Sequence, residues 1–365
     1  MKTAMNTDIS QQLQQQVQQA FEQKTALSII GGNSKAFYGR IDERAACAET
    51  LAVSGHSGVL NYEPTELVIT ARAGTPLHEI EKLLADNGQM LAFEPPAFAE
   101  SATIGGTIAC NLSGPRRAHA GAARDFLLGC KIINGKGEML TFGGEVMKNV
   151  AGYDVSRLMA GAMGTLGILL EVSLKVLPTA EMESTQLFHC SATEALDKIH
   201  AWSQTPLPLS ASSFQDSILR IRLSGASEAV KAAIDTLGGE TMPDSAQYWH
   251  QLKEQQLDFF SNEKPLWRIS LASDIESLGL PAEYDKDHCL YEWGGALRWL
   301  KSDVPAEVIQ RAAAVEEGHA SLFRHEGHSS LFQPLTPGLI RIHQNLKQAF
   351  DPENILNPGK LYSEL

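Results

Sequence analysis

Cysteine is scarce and scattered in this chain: Cys47, Cys110, Cys130, Cys190 and Cys289 form no CxxC pair and no Cys/His cluster. That excludes an encoded iron–sulfur or zinc ligand set and reads as reduced thiols, so the expected metal site is none. Long apolar runs are missing as well. No stretch reaches the roughly eighteen apolar residues of a spanning helix, and the opening MKTAMNTDISQQLQQQVQQAFEQ has no signal-peptide core, so a cytoplasmic chain without direct membrane insertion is expected. Basic residues are outnumbered, 30 Lys and Arg against 43 Asp and Glu, and the net charge of −13 argues against nucleic acid as a partner. Neither GxGxxG nor GxxxxGK[ST] occurs, which removes the two common nucleotide fingerprints. What remains is a globular composition, 43% hydrophobic and 20% charged over 365 residues, long enough for two domains.

The pattern along the chain is mixed helix and strand. Ile9, Leu13, Val17, Ala20 and Phe21 fall at helical spacing behind Asp8 or Ser10 as cap. Residues 25–30 form a short apolar strand entering Gly31-Gly32-Asn33-Ser34. Strands are expected over 58–62, 67–71, 127–134 and 138–142, with a helix over 76–87 capped by Thr75 and opened by Pro76. The texture changes near 178–182, and a smaller α+β unit follows, with strands over 214–223, 266–272 and 289–293 and helices over 228–237 and 249–260. A last helix, 339–350, precedes the DPENILNPGK tail.

Glycine concentrates in the first half. Thirteen of the sixty-three residues from Gly105 to Gly167 are Gly, against roughly 7% in average proteins. A strand running into Gly31, Gly32, Asn33 and Ser34 can turn successive backbone N–H groups toward an anion such as a phosphate. A second stretch offers Thr103, Gly105, Gly106, Asn111 and Gly114, and a third offers Gly164, Thr165, Gly167 and Ile168 just before a strand. Each alone reads equally as a glycine-rich turn. Three in one half, each beside an expected strand, point to one large shared cofactor.

The order of GGNSKAFYG from Gly31, EPPAFAESATIGGTIACNLSGPRR from Glu94, KNVAGYD from Lys148, GAMGTLGI from Gly161 and the terminal DPENILNPGK resembles the vanillyl-alcohol-oxidase-type (PCMH-type) family of FAD-linked oxidases. GEVMKNVAGYDVSRLM, LWRISL and WGGALRWLK further resemble the FAD-binding subunits of bacterial glycolate oxidase, across essentially the whole chain. The resemblance implies an α+β protein: a two-subdomain FAD-binding domain (1–179), a smaller α+β cap facing substrate or partner (180–335), and a tail (336–365) returning to the FAD domain. It assigns the pyrophosphate to Gly31–Ser34, the rest of FAD to the second and third stretches, and a place near the flavin ring to Asn357. Asn33 and Ser34 stand where covalently flavinylated relatives carry His, so the FAD is expected to be non-covalent.

Oxidation of a 2-hydroxy acid needs a hydride acceptor, a base and a carboxylate clamp; flavin, histidine and arginine suit these roles. In the cap, His325 and Arg324 are the candidate catalytic pair, but the His-Gly-Asp-Gly-Asn type segment of catalytic relatives has no counterpart here, so two readings stand: a subunit that binds FAD without itself oxidising glycolate, and one whose own active site uses these two residues. The implied role is the FAD-binding redox subunit of a glycolate oxidase complex, yielding glyoxylate and passing electrons to an iron–sulfur subunit. A second flavin subunit is the other partner, and peripheral attachment at the inner face of the cell membrane would run through these partners. A self-sufficient 2-hydroxy acid dehydrogenase and a non-catalytic scaffold are the alternatives.

Overall fold

The computed structural model describes residues 6–40, 48–144, 154–261, 264–280, 289–324 and 331–365; His325 and the stretch from Lys148 to Tyr153 lie outside the described residues. Two compact units emerge, one of Met1–Leu112, Ala122–Pro178 and Pro334–Leu365, the other of Ser113–Gly121 and Thr179–Gln333. Both mix helices and strands, as an α+β fold requires.

In the first unit the strands are β1 (Leu27–Ile30), β2 (Glu49–Ala52), β3 (Val59–Glu63), β4 (Val68–Arg72), β5 (Gln89–Met90), β6 (Leu127–Ile133), β7 (Met139–Gly143), β8 (Ile168–Lys175) and β9 (Leu177–Pro178). β1 and β2 pair in parallel, while β3-β4-β8-β6-β7 form an antiparallel sheet. β8, with the near-continuous apolar sequence ILLEVSLK, takes the central place because it can be covered on both faces. Helix Ser10–Gln23 buries Leu13, Val17 and Ala20, the stripe its spacing predicts. Its start differs from expectation: Ile9 holds the N-cap position, and Asp8 accepts from Ser10 N–H (2.9 Å) and from Arg72 Nη2 (3.1 Å). The next helix, Leu77–Ala85, also starts without the expected threonine cap. The Thr75 hydroxyl donates to Arg72 O (2.7 Å) and accepts from Gly58 N–H (2.9 Å), clamping two turns instead.

The second unit is an eight-stranded antiparallel sheet of β10 (Met182–His189), β11 (Leu209–Gln215), β12 (Ile218–Gly225), β13 (Glu240–Thr241), β14 (Leu266–Ser270), β15 (Cys289–Glu292), β16 (Leu297–Lys301) and β17 (His319–Arg324). Its order is β13-β10-β12-β11-β15-β16-β14-β17. The single strand expected over 214–223 is a hairpin: Asp216 (φ 53°) and Ser217 (φ 60°) both turn left-handed, the geometry of a two-residue type I′ connection. Neither is Gly, which is why the alternation looked unbroken. The helix expected over 249–260 is Ser245–Lys253 followed by a separate 3₁₀ turn, Asp258–Phe260. On β12, Leu219, Ile221 and Leu223 join Leu196, Val230 and Ala233 of the covering helices, while Arg220 and Arg222 on the opposite face stack over Tyr248 and Trp249.

The C-terminal tail is stitched into the first unit. Lys347, on helix Pro337–Phe350, donates from Nζ to Asp351 Oδ2 (2.7 Å), Thr165 O (2.8 Å) and Leu356 O (2.8 Å). Asp351 also accepts from the N–H groups of Ile355 (3.1 Å) and Leu356 (2.7 Å). The two side chains are 7% and 0% exposed, so neither charge has water to fall back on. Lys347→Met should therefore lower stability by about 3–5 kcal/mol, as removal of one partner of a buried ion pair does; urea unfolding checks this.

His56 is wholly buried, with Nδ1 accepting from Ile9 N–H (3.2 Å), so the proton of the neutral ring sits on Nε2. Burial holds its pKa below the ordinary value, against the opposing pull of Asp8. The unfolded chain therefore takes up this proton first, and the stability tied to a neutral His56 is present above about pH 6.5 and lost as pH falls. His56→Gln should remove that slope, so the stability gap between wild type and variant should narrow from about pH 7 to pH 5 in paired denaturant titrations.

Candidate cofactor site

An open cleft in the first unit holds about 930 Å³ of empty volume, solvent at its mouth included. Three stretches far apart in sequence wall it: the turn after β1, the helix Ile104–Cys110 with its cap Thr103, and the turn leading into β8. Asn357 and Lys360 of the tail close the group. The tail runs beside β1, Leu27 N–H donating to Ile355 O (2.7 Å) and Asn357 N–H to Leu27 O (3.0 Å). The Asn357 amide then joins two walls, accepting from Ile29 N–H (2.8 Å) and donating to Met163 O (2.7 Å).

The turn itself is what an anion site needs. Among the described residues the backbone N–H groups of Gly31, Gly32, Asn33 and Ser34 make no hydrogen bond, and Asn33 sits at φ 59°. Four consecutive uncommitted donors around a left-handed residue form a nest suited to phosphate oxygens. Lys35 and Lys360 bring two ammonium groups to the same cleft. Burial pushes the Cys110 thiol up while both lysines pull it down.

Of the residues expected to hold the cofactor, Gly31, Gly32, Asn33, Ser34, Thr103, Gly105, Gly106, Gly164, Gly167, Ile168 and Asn357 line this cleft. Three stand apart. Asn111, at φ 51° after the helix, spends its carbonyl on Arg124 N–H (3.1 Å). Thr165 donates to Ala162 O (2.7 Å) and lines a separate apolar pocket under the C-terminal helix. Gly114 belongs to the second unit, where its carbonyl accepts from Trp293 Nε1 (3.0 Å). The glycines also divide by purpose. A Cβ on Gly32 would run into the Ser101 carbonyl, one on Gly105 would meet Ala73 Cβ at 2.5 Å, and one on Gly167 would meet Ile132 Cδ1 at 2.8 Å. At these three the missing Cβ lets protein pack on protein. At Gly106 a Cβ would meet only Thr103 Oγ1, at 3.2 Å.

Comparison with known proteins bears on the same residues. Residues 8–143 match the FAD binding domain family, and residues 330–361 match the C-terminal domain of FAD linked oxidases. The chain is 51% identical over 358 residues to glycolate oxidase subunit GlcE of Escherichia coli (strain K12), covering 98% of this chain and 99% of that one. This chain belongs to the FAD-linked oxidases. Glycolate oxidase subunit GlcD of Bacillus subtilis (strain 168) is 24% identical over 371 residues, 84% of this chain and 77% of that one. In fold the chain matches a solved alkyldihydroxyacetonephosphate synthase with a TM-score of 0.66 at 18% identity, over 96% of this chain and 76% of that one.

FAD is the cofactor of this FAD-linked oxidase, and the open turn amides and the two lysines of the cleft fit its diphosphate. Lys35 and Lys360 were not among the residues expected from sequence; within GGNSK and NPGK nothing local separates a cleft-lining lysine from a surface one. Nor were Tyr38, Met159 and Met163, which carry no pattern that marks them.

In the second unit Arg324 ends β17, with burial lowering its pKa and its guanidinium lying 5.9 Å from the Phe323 ring centroid. Lys301 lies close enough for Arg324 to depress its pKa further, after burial. Arg116 and Arg117 serve that unit: Arg116 pairs with Glu183 (2.8 Å), and Arg117 stacks 4.3 Å over Trp293. Trp267, Trp293 and Trp299 are all buried. Among the described residues no group of three His, Cys, Asp or Glu could hold a metal ion, and no helix is long and apolar enough to cross a membrane.

The division of the glycines gives separable outcomes. Gly106→Val should fold with a near-normal melting curve and purify with flavin absorbance largely lost. Gly105→Val should lose stability by about 1–3 kcal/mol through overpacking against Ala73. Full flavin occupancy in the Gly106 variant would refute the assignment of that wall.

Proposed function

We propose that this chain is the FAD-binding redox subunit of a glycolate-oxidising complex, converting glycolate to glyoxylate and sending the electrons to a partner subunit. The observation that carries it is the nest of four open amides at Gly31–Ser34 within a two-lysine cleft, in a chain that matches a glycolate oxidase subunit end to end. The proposed organisation is a FAD domain over 1–179, a cap over 180–335 and a returning tail over 336–365.

Glycolate must give up a hydride from its α-carbon and a proton from its hydroxyl. Bound FAD supplies the hydride acceptor. The residues of the chain do the rest: the turn amides and lysines hold the anionic part of the cofactor, Asn357 keeps the walls in register, and Met159 and Met163 supply apolar lining that limits water. Arg324 is assigned to the substrate carboxylate, since a guanidinium can hold one bidentately, and His325 to the hydroxyl proton. The iron–sulfur centre belongs to another chain, because the scattered cysteines here furnish no ligand set. Peripheral membrane attachment would likewise come through the partners.

The test is anaerobic addition of glycolate to the purified chain and to the complex isolated with its tagged partners, followed by flavin absorbance. Bleaching in the complex, abolished by Arg324→Met in this chain, is the expected result. Bleaching in the isolated chain would make it a self-sufficient dehydrogenase, and a colourless, flavin-free preparation would make it a scaffold.

A further inference from the structure

Lys360 occupies the cleft wall with its stem lying against Gly39, whose absent side chain makes the passage: a Cβ there would stand 2.6 Å from Lys360 Cε. Gly39 sits at φ 104°, a conformation that side chains rarely adopt, so the backbone is shaped for this crossing. The neighbouring strand of chain is tied to the same residue, Arg40 N–H donating to Lys360 O (2.8 Å). The ammonium group, in contrast, makes no hydrogen bond or ion pair among the described residues, although burial in the cleft lowers its pKa. A half-buried cation in a protein of net charge −13 would ordinarily find a carboxylate. Among the described residues no carboxylate pairs with it, and the side chain lines the cavity instead.

Lys35 approaches from the turn, its Nζ within 3.3 Å of Ala97 O and 3.5 Å of Ser34 Oγ. Both lysines line the cleft together with Cys110. Two ammonium groups beside four open amides match a group with two full negative charges.

We propose that Lys360 is a phosphate-binding residue of this chain, supplying with Lys35 the countercharge to the cofactor's diphosphate. The inference rests on the reading of the cleft as the FAD site. It assigns the lysine of the NPGK tail to ligand binding and the asparagine to holding the walls.

The experiment uses the flavin-stripped full-length chain, titrated with FAD and separately with riboflavin, which has the ring but no phosphate. Lys360→Met keeps the stem and removes the charge. FAD should bind roughly 10- to 100-fold more weakly to the variant, the loss expected for a charge-assisted hydrogen bond, with riboflavin unchanged. The unfolding temperature without ligand should stay the same, because the ammonium bonds to no described residue, and Lys360→Arg should recover part of the affinity. Unchanged FAD affinity would overturn the proposal, as would equal weakening of FAD and riboflavin, which would put the lysine at the ring. A lowered unfolding temperature without ligand would make Lys360 a structural residue instead. Failure of the wild-type chain to bind FAD at all would strike the cleft reading itself, an outcome distinct from these.

Discussion

The return of the C-terminal tail is the constraint on which the cofactor cleft depends. Its walls come from residues near 30, near 105 and near 165, and no local interaction would hold such distant stretches in register. Asn357 bridges two of them through Ile29 and Met163, and its backbone continues the pairing of β1. Behind it the buried Lys347–Asp351 pair fixes the helix that delivers the tail, and Lys347 also reaches the Thr165 carbonyl, one residue after Gly164 of the third wall. Each of these groups is committed to protein partners in a dry environment, where an unmade bond costs far more than in water. The amides of Gly31–Ser34 are the exception. A frame tied together by these bonds can keep four donors open for a ligand.

Glycine in this molecule performs two jobs that look alike in one dimension. Gly32 and Gly105 are bare because the Ser101 carbonyl and Ala73 press against them, and Gly39 because a lysine stem passes it. Gly106 opens toward the cleft. All of them let something come near the backbone, and only the three-dimensional neighbours say whether that something is protein or cofactor. An unusual density of glycine is therefore a sound sign of close approach and a poor guide to what approaches.

The second unit carries its polarity on one face of a sheet. Alternation puts Leu219, Ile221 and Leu223 under helices and leaves Arg220 and Arg222 on the other side, where aromatic rings and Glu183 cover them. That side is held by cation–π stacking and charge-assisted bonds rather than by aliphatic packing. It includes Trp293, kept at φ 54° with Arg117 and Arg268 against its ring.

The α+β class, the strand-to-turn entry at Gly31 and the family were legible from residue order, because alternation, glycine clusters and the NPGK tail are local signals. Most of the cleft wall followed from the same signals. The hairpin at Asp216–Ser217 was hidden because left-handed turns made without glycine leave no mark in composition. Asn111, Thr165 and Gly114 lie in the right stretches yet face other partners, since direction is set by packing and not by position along the chain. Lys360 shows the division most clearly. Its presence in the NPGK tail is a fact of sequence, but the passage past Gly39 and the place in the cleft wall exist only once distant segments fold together, because a charge's role depends on what surrounds it in space.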